Sequence, residues 1–307
     1  MSDLKVYIST RQAAELLQVH ESSVKRWCNA SVLACEFTPG GHRRIPLRSM
    51  LQFARENDLS CPLMSFAGAE TKLWAAMDKA RQEGDYTSLA DLLFDWLASS
   101  RTPFVVQLLP MLHAFAFDAS LLFDKVIGPV LHRVGTGWEQ GIFNTGDEHR
   151  MTQTVIDGLH HLRYEQLRER TPKNGRQSPV ALVGCIEDDD HELGSMMVRV
   201  LLEREGWEVV YLGTKVPSMD FSVLQKKNNA DLVCISVMPP QNMVHAARAQ
   251  TILAQGYEEN KAFHLIYGGQ AVRKTPVFPA PDAPFKSLKL FNDTASFITW
   301  LRSLDTP

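Results

Sequence analysis

Val180-Ala181-Leu182-Val183-Gly184-Cys185-Ile186 runs directly into Glu187-Asp188-Asp189-Asp190-His191-Glu192-Leu193-Gly194. The short apolar run after Pro179 reads as a buried strand, and the acidic stretch as the turn that closes it. A helix follows from about 191 to 205. The pattern then repeats: strand 207–212, helix 218–228, strand 232–237, helix 242–255, strand 264–267 and a final helix near 293–304. Strands alternating with helices predict a doubly wound parallel α/β sheet over 179–307. Ligands of such sheets sit at the carboxyl ends of the strands, where Glu187–Gly194 lies.

In this loop an imidazole can ligate a transition metal, and a carboxylate two residues away can orient the ring. Gly194 allows a bulky group to approach closely. A run of acidic residues at a helix N-terminus is equally what a solvated loop carries, because negative charge is favoured there. Taken alone, the stretch leaves both readings open.

Upstream, residues 69–170 are helical in pattern, with candidates at 70–82, 85–99, 103–137 (broken near Gly128-Pro129) and 145–169. Leu89, Leu92, Leu93, Trp96 and Leu97 form one amphipathic face. An all-α bundle of four or five helices is the economical reading. Leu59–Gly68 and Thr171–Pro179 are candidate linkers, the second rich in turn residues.

Residues 1–59 carry 8 Lys/Arg against 6 Asp/Glu, whereas the whole chain of 307 residues has a net charge of −3. Ser9 with Gln12 three residues on is a capping-box spacing, followed by the apolar face Ala13, Leu16 and Leu17. A second short helix, Glu21 to Asn29, turns Val24 and Trp27 inward and Lys25 and Arg26 outward. Gly40-Gly41 signals a hairpin turn whose edge carries His42, Arg43 and Arg44. A winged helix-turn-helix, with one helix for the major groove and a basic wing for phosphates, is a DNA-reading arrangement.

Asp189-x-His191-x-x-Gly194, Ser236-x-Met238 after the third strand and Gly268-Gly269 after the fourth together resemble the cobalamin-binding domain, Rossmann-like and flavodoxin-like in its sheet. Gly206–Gly213 and Val216-Pro217 add to the likeness. The resemblance implies that His191 is the lower axial ligand of cobalt and that Asp189 hydrogen-bonds it. It implies that the nucleotide tail passes Gly194, Ser236, Gly268 and Gly269. Gly137-Trp138-Glu139-Gln140-Gly141 followed by Glu148-His149 looks like the helical cap that precedes such domains, in which Trp138, Glu148 and His149 would cover the upper face of cobalamin. With the MerR-type head, the chain resembles the CarH/CarA family of transcriptional repressors. The implied division is 1–59 for DNA, 69–170 for the cap and 179–307 for cobalamin. The implied cofactor is adenosylcobalamin, with methylcobalamin as the alternative. The implied partners are promoter DNA and further copies of the chain, a tetramer in the dark that light dissociates.

Two departures stand out. Met238 replaces the usual aliphatic residue, a conservative volume change. Glu139 stands where light sensors often carry a histidine able to take the upper cobalt position, and a carboxylate traps Co(III) less well than imidazole. His132 and His149 are the other imidazoles of that part. Two other functions use the same elements. One is a MerR-type repressor that has lost cobalamin or light control and answers another chromophore or protein. The other is an enzyme, a corrinoid methyl carrier or mutase part, which the DNA-reading head disfavours. The remaining features are structural: His160-His161 reads as a solvated helix surface, Cys185 and Cys234 as core thiols, and Met196-Met197 as packing. The five scattered cysteines form no Cys-x-x-Cys pair, no phosphate-binding glycine loop follows a strand, and no apolar run reaches the roughly 18 residues of a membrane-spanning helix. A reducing cytoplasm, no membrane and no catalytic residues are therefore expected.

Overall fold

The computed structural model describes residues 6–170, 178–238, 240–274 and 284–304. They form two compact units, residues 1–111 and 112–307.

The first unit opens with strand β1 (Tyr7–Ile8), helices α1 (Thr10–Leu17) and α2 (Glu21–Asn29), strands β2 (Glu36–Phe37) and β3 (Arg43–Pro46), and helix α3 (Leu47–Glu56). The Ser9–Gln12 capping box forms as expected: the Ser9 side chain accepts from the Gln12 amide and the Gln12 side chain from that of Ser9. β1, β3 and β2 make a three-stranded antiparallel sheet, with β2 and β3 as the wing. Gly41, at φ +78°, takes the turn conformation that a side chain would strain. α3, which the sequence pattern left unread, packs Phe53 on Trp27 at 5.0 Å.

The expected linker at 59–68 is folded. Pro62–Phe66 is a short 3₁₀ helix in which Leu63 and Phe66 are fully buried. It leads into α4 (Glu70–Glu83), α5 (Thr87–Ala98) and α6 (Thr102–Ala114). Of the other expected linker, 171–179, only Ser178 and Pro179 are among the described residues.

The second unit continues with α7 (Ala119–Leu122), a π-helical turn at Phe123–Ile127, α8 (Gly128–Glu139) and α9 (Thr145–Glu169). The sequence predicts one helix over 103–137 with a break at Gly128-Pro129. The break falls instead at 115–118, where Ala116 is left-handed (φ +57°) and Asp118 caps the next helix through Ser120 and Leu121. At Gly128 the chain stays helical. Its N–H reaches back to the Phe123 carbonyl, the wider π-turn spacing, and Pro129 begins the α-helix where a missing N–H costs nothing.

The α/β part comprises β4 (Val180–Ile186), α10 (Glu192–Arg204), β5 (Glu208–Val216), α11 (Ser218–Asn228), β6 (Leu232–Ser236), α12 (Met243–Gln255), β7 (His264–Gly268), a short α13 (Gln270–Lys274), β8 (Ser287–Phe291) and α14 (Thr294–Ser303). All five strands are parallel, in the order β5-β4-β6-β7-β8. This is the expected doubly wound sheet, and β4 is where its order reverses. β5 extends to Val216, beyond the expected 212, because register shifts opposite Gly184 let it continue. β8 was not expected: an edge strand with Lys289 and Leu290 exposed carries little alternation.

Candidate functional site

The reversal of strand order opens a crevice at the carboxyl ends of β4 and β6. Two loops meet there. The loop after β4 turns at Asp188, which is left-handed at φ +60°. The turn sends Asp189 inward, where it is fully buried. One of its oxygens, Oδ1, accepts from the backbone N–H of His191 at 3.0 Å and from His191 Nδ1–H at 2.9 Å. The other accepts from the backbone N–H of Met238 at 2.7 Å, on the loop after β6. Lys215 N–H donates to the Asp189 carbonyl. A buried carboxylate with three N–H donors is well satisfied and rigid.

His191 is the first residue before α10, and its side chain is 53% exposed. With Nδ1 donating to Asp189, the lone pair lies on Nε2, the nitrogen turned away from the carboxylate. That hydrogen bond holds the imidazole above its ordinary range against the opposing effect of burial, and the charges of Asp189, Asp190 and Glu148 act in the same direction. Asp189, Asp190 and His191 bring ligand atoms within 4.8 Å of one another. Both Asp189 oxygens are occupied by N–H groups and Asp190 is paired with Lys215 Nζ at 3.3 Å, which leaves Nε2 as the neutral lone pair this group offers to a metal.

The walls of the crevice are narrow. A Cβ on Gly194 would lie 3.2 Å from Ser236 Oγ. Gly269 is at φ +110°, and a Cβ there would sit 2.4 Å from the Val237 carbonyl oxygen. Gly268 accepts from Val237 N–H and pairs with Ser236 in the sheet. The structure therefore brings Asp189, His191, Gly194, Ser236, Gly268 and Gly269 to one end of the sheet. An exposed, pre-oriented imidazole beside a slot that side chains would fill fits a flat metallo-macrocycle with a tail.

Sequence reasoning missed the supports of this loop. Ser218 Oγ–H donates to Glu187 Oε2 at 2.5 Å, and His245 lies 3.5 Å from Glu187 and 3.3 Å from Asp188. The Ser218 hydroxyl is the leading cause that holds the Glu187 carboxyl below its ordinary range. On the other flank Tyr211 O–H donates to Glu192 at 3.1 Å and meets Ser195 Oγ at 3.0 Å, and Cys185 Sγ lies 3.2 Å from the same hydroxyl. Burial raises the Cys185 thiol to about 12, which makes it inert. All these partners are 10 to 60 residues apart and carry no local signal.

On α8 and α9 of the same unit, Trp138 is 49% exposed and its indole N–H reaches Thr145 Oγ1 at 3.3 Å. Glu148 accepts from the Thr152 hydroxyl at 2.6 Å, and His149, largely exposed, stands 3.7 Å from Glu148. Glu139 and His132 are exposed. His160 lies on the helix surface as expected, and Cys185 and Cys234 are buried.

The DNA-reading candidates lie in the first unit. Arg26, His42 and Arg44 are exposed, and Lys25 is exposed while pairing with Glu21 at 3.1 Å. Arg44 stacks on Tyr7 at 4.3 Å. Arg43 differs: it donates to Asn29 Oδ1 at 2.6 Å, lies over Phe37 and buries its Nε. It braces the wing against the end of α2.

Comparisons with known proteins agree with both ends of the chain. Residues 7–58 match the helix-turn-helix domain and residues 179–280 the B12 binding domain. The chain is similar to the HTH-type transcriptional repressor CarH of Myxococcus xanthus, 26% identical over 198 residues, 64% of this chain and 58% of that repressor. It is also similar to dimethylamine corrinoid protein 3 of Methanosarcina acetivorans, 36% identical over 119 residues, 38% of this chain and 53% of that protein. It thus spans little more than half the length of these relatives. The structure of the Methanosarcina barkeri monomethylamine corrinoid protein shares the fold, with a TM-score of 0.55 at 16% identity, over 70% of this chain and 97% of that one. Among the described residues no helix is long and apolar enough to cross a membrane.

Proposed function

We propose that this chain, a cobalamin-binding transcriptional regulator similar to the CarH repressors, is a light-responsive repressor that uses adenosylcobalamin and is divided into a head (1–59), a cap (69–170) and a cobalamin domain (179–307). The observation that carries the reading is the buried Asp189, which presents His191 Nε2 at the mouth of a glycine-walled slot. When bound, cobalamin supplies a cobalt–carbon bond that light can break.

The residues of the chain supply the rest. His191 offers the lower ligand, and Asp189 fixes its tautomer and raises its basicity. Gly194, Ser236, Gly268 and Gly269 leave room for the tail. Trp138, half exposed, and the adjacent pair Glu148 and His149 would cover the other face. Contacts of Trp138, Glu148 and His149 that depend on the bound cofactor would favour one position of the helices that carry them, and losing those contacts would shift the population of assemblies. In the dark assembly, a tetramer, several heads on one promoter gain avidity, so dissociation releases DNA with no change in base contacts. Lys25, Arg26, His42 and Arg44 face the DNA.

Glu139 favours a second reading, a repressor whose response to light or cobalamin is lost or altered, because no imidazole follows Trp138. One measurement separates the two. The protein with adenosylcobalamin is run by size-exclusion chromatography in the dark and after green light, with spectra across the peak. A coloured oligomer that becomes smaller in light supports the photoreceptor. A coloured oligomer indifferent to light, or a colourless protein, supports the second reading.

A further inference from the structure

The segment that joins the DNA-reading head to α4 is built as a joint with no slack. Leu63 and Phe66 are fully buried, and Phe66 lies 5.6 Å from Trp96 and 5.5 Å from Phe104, ring centre to ring centre. Glu70, the first residue of α4, accepts from the Gly68 N–H at 2.8 Å and from Arg55 of α3 at 3.0 Å. One carboxylate thus fastens the end of the head to the start of the helix.

A second set of contacts lies farther along. Gln12 Nε2–H donates to Asp78 at 3.1 Å, and Arg81 holds Glu15 with two bonds at 2.8 and 3.4 Å. Gln12 and Glu15 are three apart on α1; Asp78 and Arg81 are three apart on α4. Residues at that spacing share a helix face. The two contacts are therefore rungs of one ladder between α1 and α4. A single rung would leave the helices free to pivot about it, whereas two rungs fix distance and rotation together. The Gln12 amide has both ends engaged, because its Oε1 takes the Ser9 N–H at 2.8 Å in the cap of α1. The first turn of α1 and the face of α4 cannot move independently without breaking one of these bonds. An exposed ion pair alone contributes little. Here the ladder acts on a head already anchored by Leu63, Phe66 and Glu70.

From this geometry we infer that Asp78 and Arg81 lock the head on α4 in one orientation and so restrict the operator spacing that an assembly of these chains accepts. The inference rests on the reading of residues 1–59 as a DNA-binding head in an oligomer. Heads on slack linkers could reach half-sites at several separations. Heads held at fixed angles present their recognition helices at a fixed separation, and half-site spacing then follows from protein geometry.

The test uses the full chain with adenosylcobalamin in the dark. Bound DNA is selected from a random-sequence pool and sequenced, for the wild type, for Asp78→Ala/Arg81→Ala, and for the exchanged pair Glu15→Arg/Arg81→Glu. We expect one half-site spacing with the wild type, loss of that single spacing for the alanine pair with the half-site sequence unchanged, and its return with the exchanged pair. A wild type that selects several spacings, or an alanine pair that keeps one, overturns the inference. Selection of no DNA by the wild type overturns the DNA-binding reading instead. The lock is then judged by amide hydrogen exchange of residues 62–70. Slow exchange in the wild type that becomes fast in the alanine pair upholds it, and equal exchange in the two overturns it.

Discussion

The Asp189 carboxylate takes the backbone N–H and the ring N–H of His191 on one oxygen and the N–H of Met238 on the other. A group with no solvent exposure thereby joins the two loops of the crevice and sets the angle of an exposed imidazole. Replacement by asparagine turns one acceptor into a donor. Asp189→Asn should destabilise the domain by about 1–3 kcal/mol through the unmade bond. It should also weaken cobalamin binding by roughly 10–100-fold, since outer partners of metal-ligating histidines have effects of that size. Thermal unfolding and spectral titration measure the two separately.

His191→Ala should leave the fold intact, because the side chain is half exposed, while removing the lower ligand. The absorbance spectrum of the holo-protein should shift toward that of cobalamin without a histidine ligand. An unchanged spectrum and oligomer would remove His191 from the site.

The two glycine positions should separate fold from binding. Gly269→Ala forces a side chain at φ +110° and against a backbone carbonyl. It should cost about 1–3 kcal/mol or more in unfolding free energy with or without cofactor. Gly194→Val places its branches in the slot beside Ser236. It should lower cobalamin affinity with a smaller loss of stability, as judged by parallel titration and melting.

Helices α9 and α10 meet at Arg163 and Glu203. The guanidinium of α9 holds the buried carboxylate of α10 through two bonds of 2.5 and 2.8 Å, and Arg199 adds a third at 3.1 Å. Removing one partner of a buried pair typically costs roughly 3–5 kcal/mol. Since Arg199 remains, Arg163→Met should cost less, about 1–3 kcal/mol. Chemical denaturation of the cofactor-free protein tests this.

His264 bonds Ser287 at 2.9 Å and abuts Trp300. Burial depresses its basicity, with Lys286 acting the same way. The folded state therefore binds its proton less readily than the unfolded chain. Its stabilising contribution is fully present above the unfolded value of about 6.5 and is lost as pH falls through the lower folded value. Urea midpoints should drop between pH 7 and 5 more steeply in the wild type than in His264→Gln. Parallel slopes would refute this assignment.

Much of this protein is legible locally. The capping box at Ser9 and Gln12, the bounds of α2, the hairpin turn at Gly41 and the strand–helix alternation after Pro179 all arise from residues a few positions apart. Their physics is that of one turn or one strand, and the sequence states it directly. The Asp-x-His-x-x-Gly loop belongs to the same class, as spacing alone puts Asp189 within reach of His191.

Other features depend on what the folded chain brings together. The acceptor role of Asp189 toward Met238 spans 49 residues. The clamp on Glu187 by Ser218 and His245, the pairing of β8 at the sheet edge, and the conversion of 59–68 from an expected linker into a joint have no periodic or local signature. A burial decision such as that of Phe66 is made by aromatic partners 30 to 38 residues away. The sequence by itself determined the types of the elements and the residues of the loop. Tertiary structure alone decided which carboxylate is buried, which arginine braces and which segment is rigid, because these outcomes follow from desolvation and hydrogen-bond completion between segments distant along the chain.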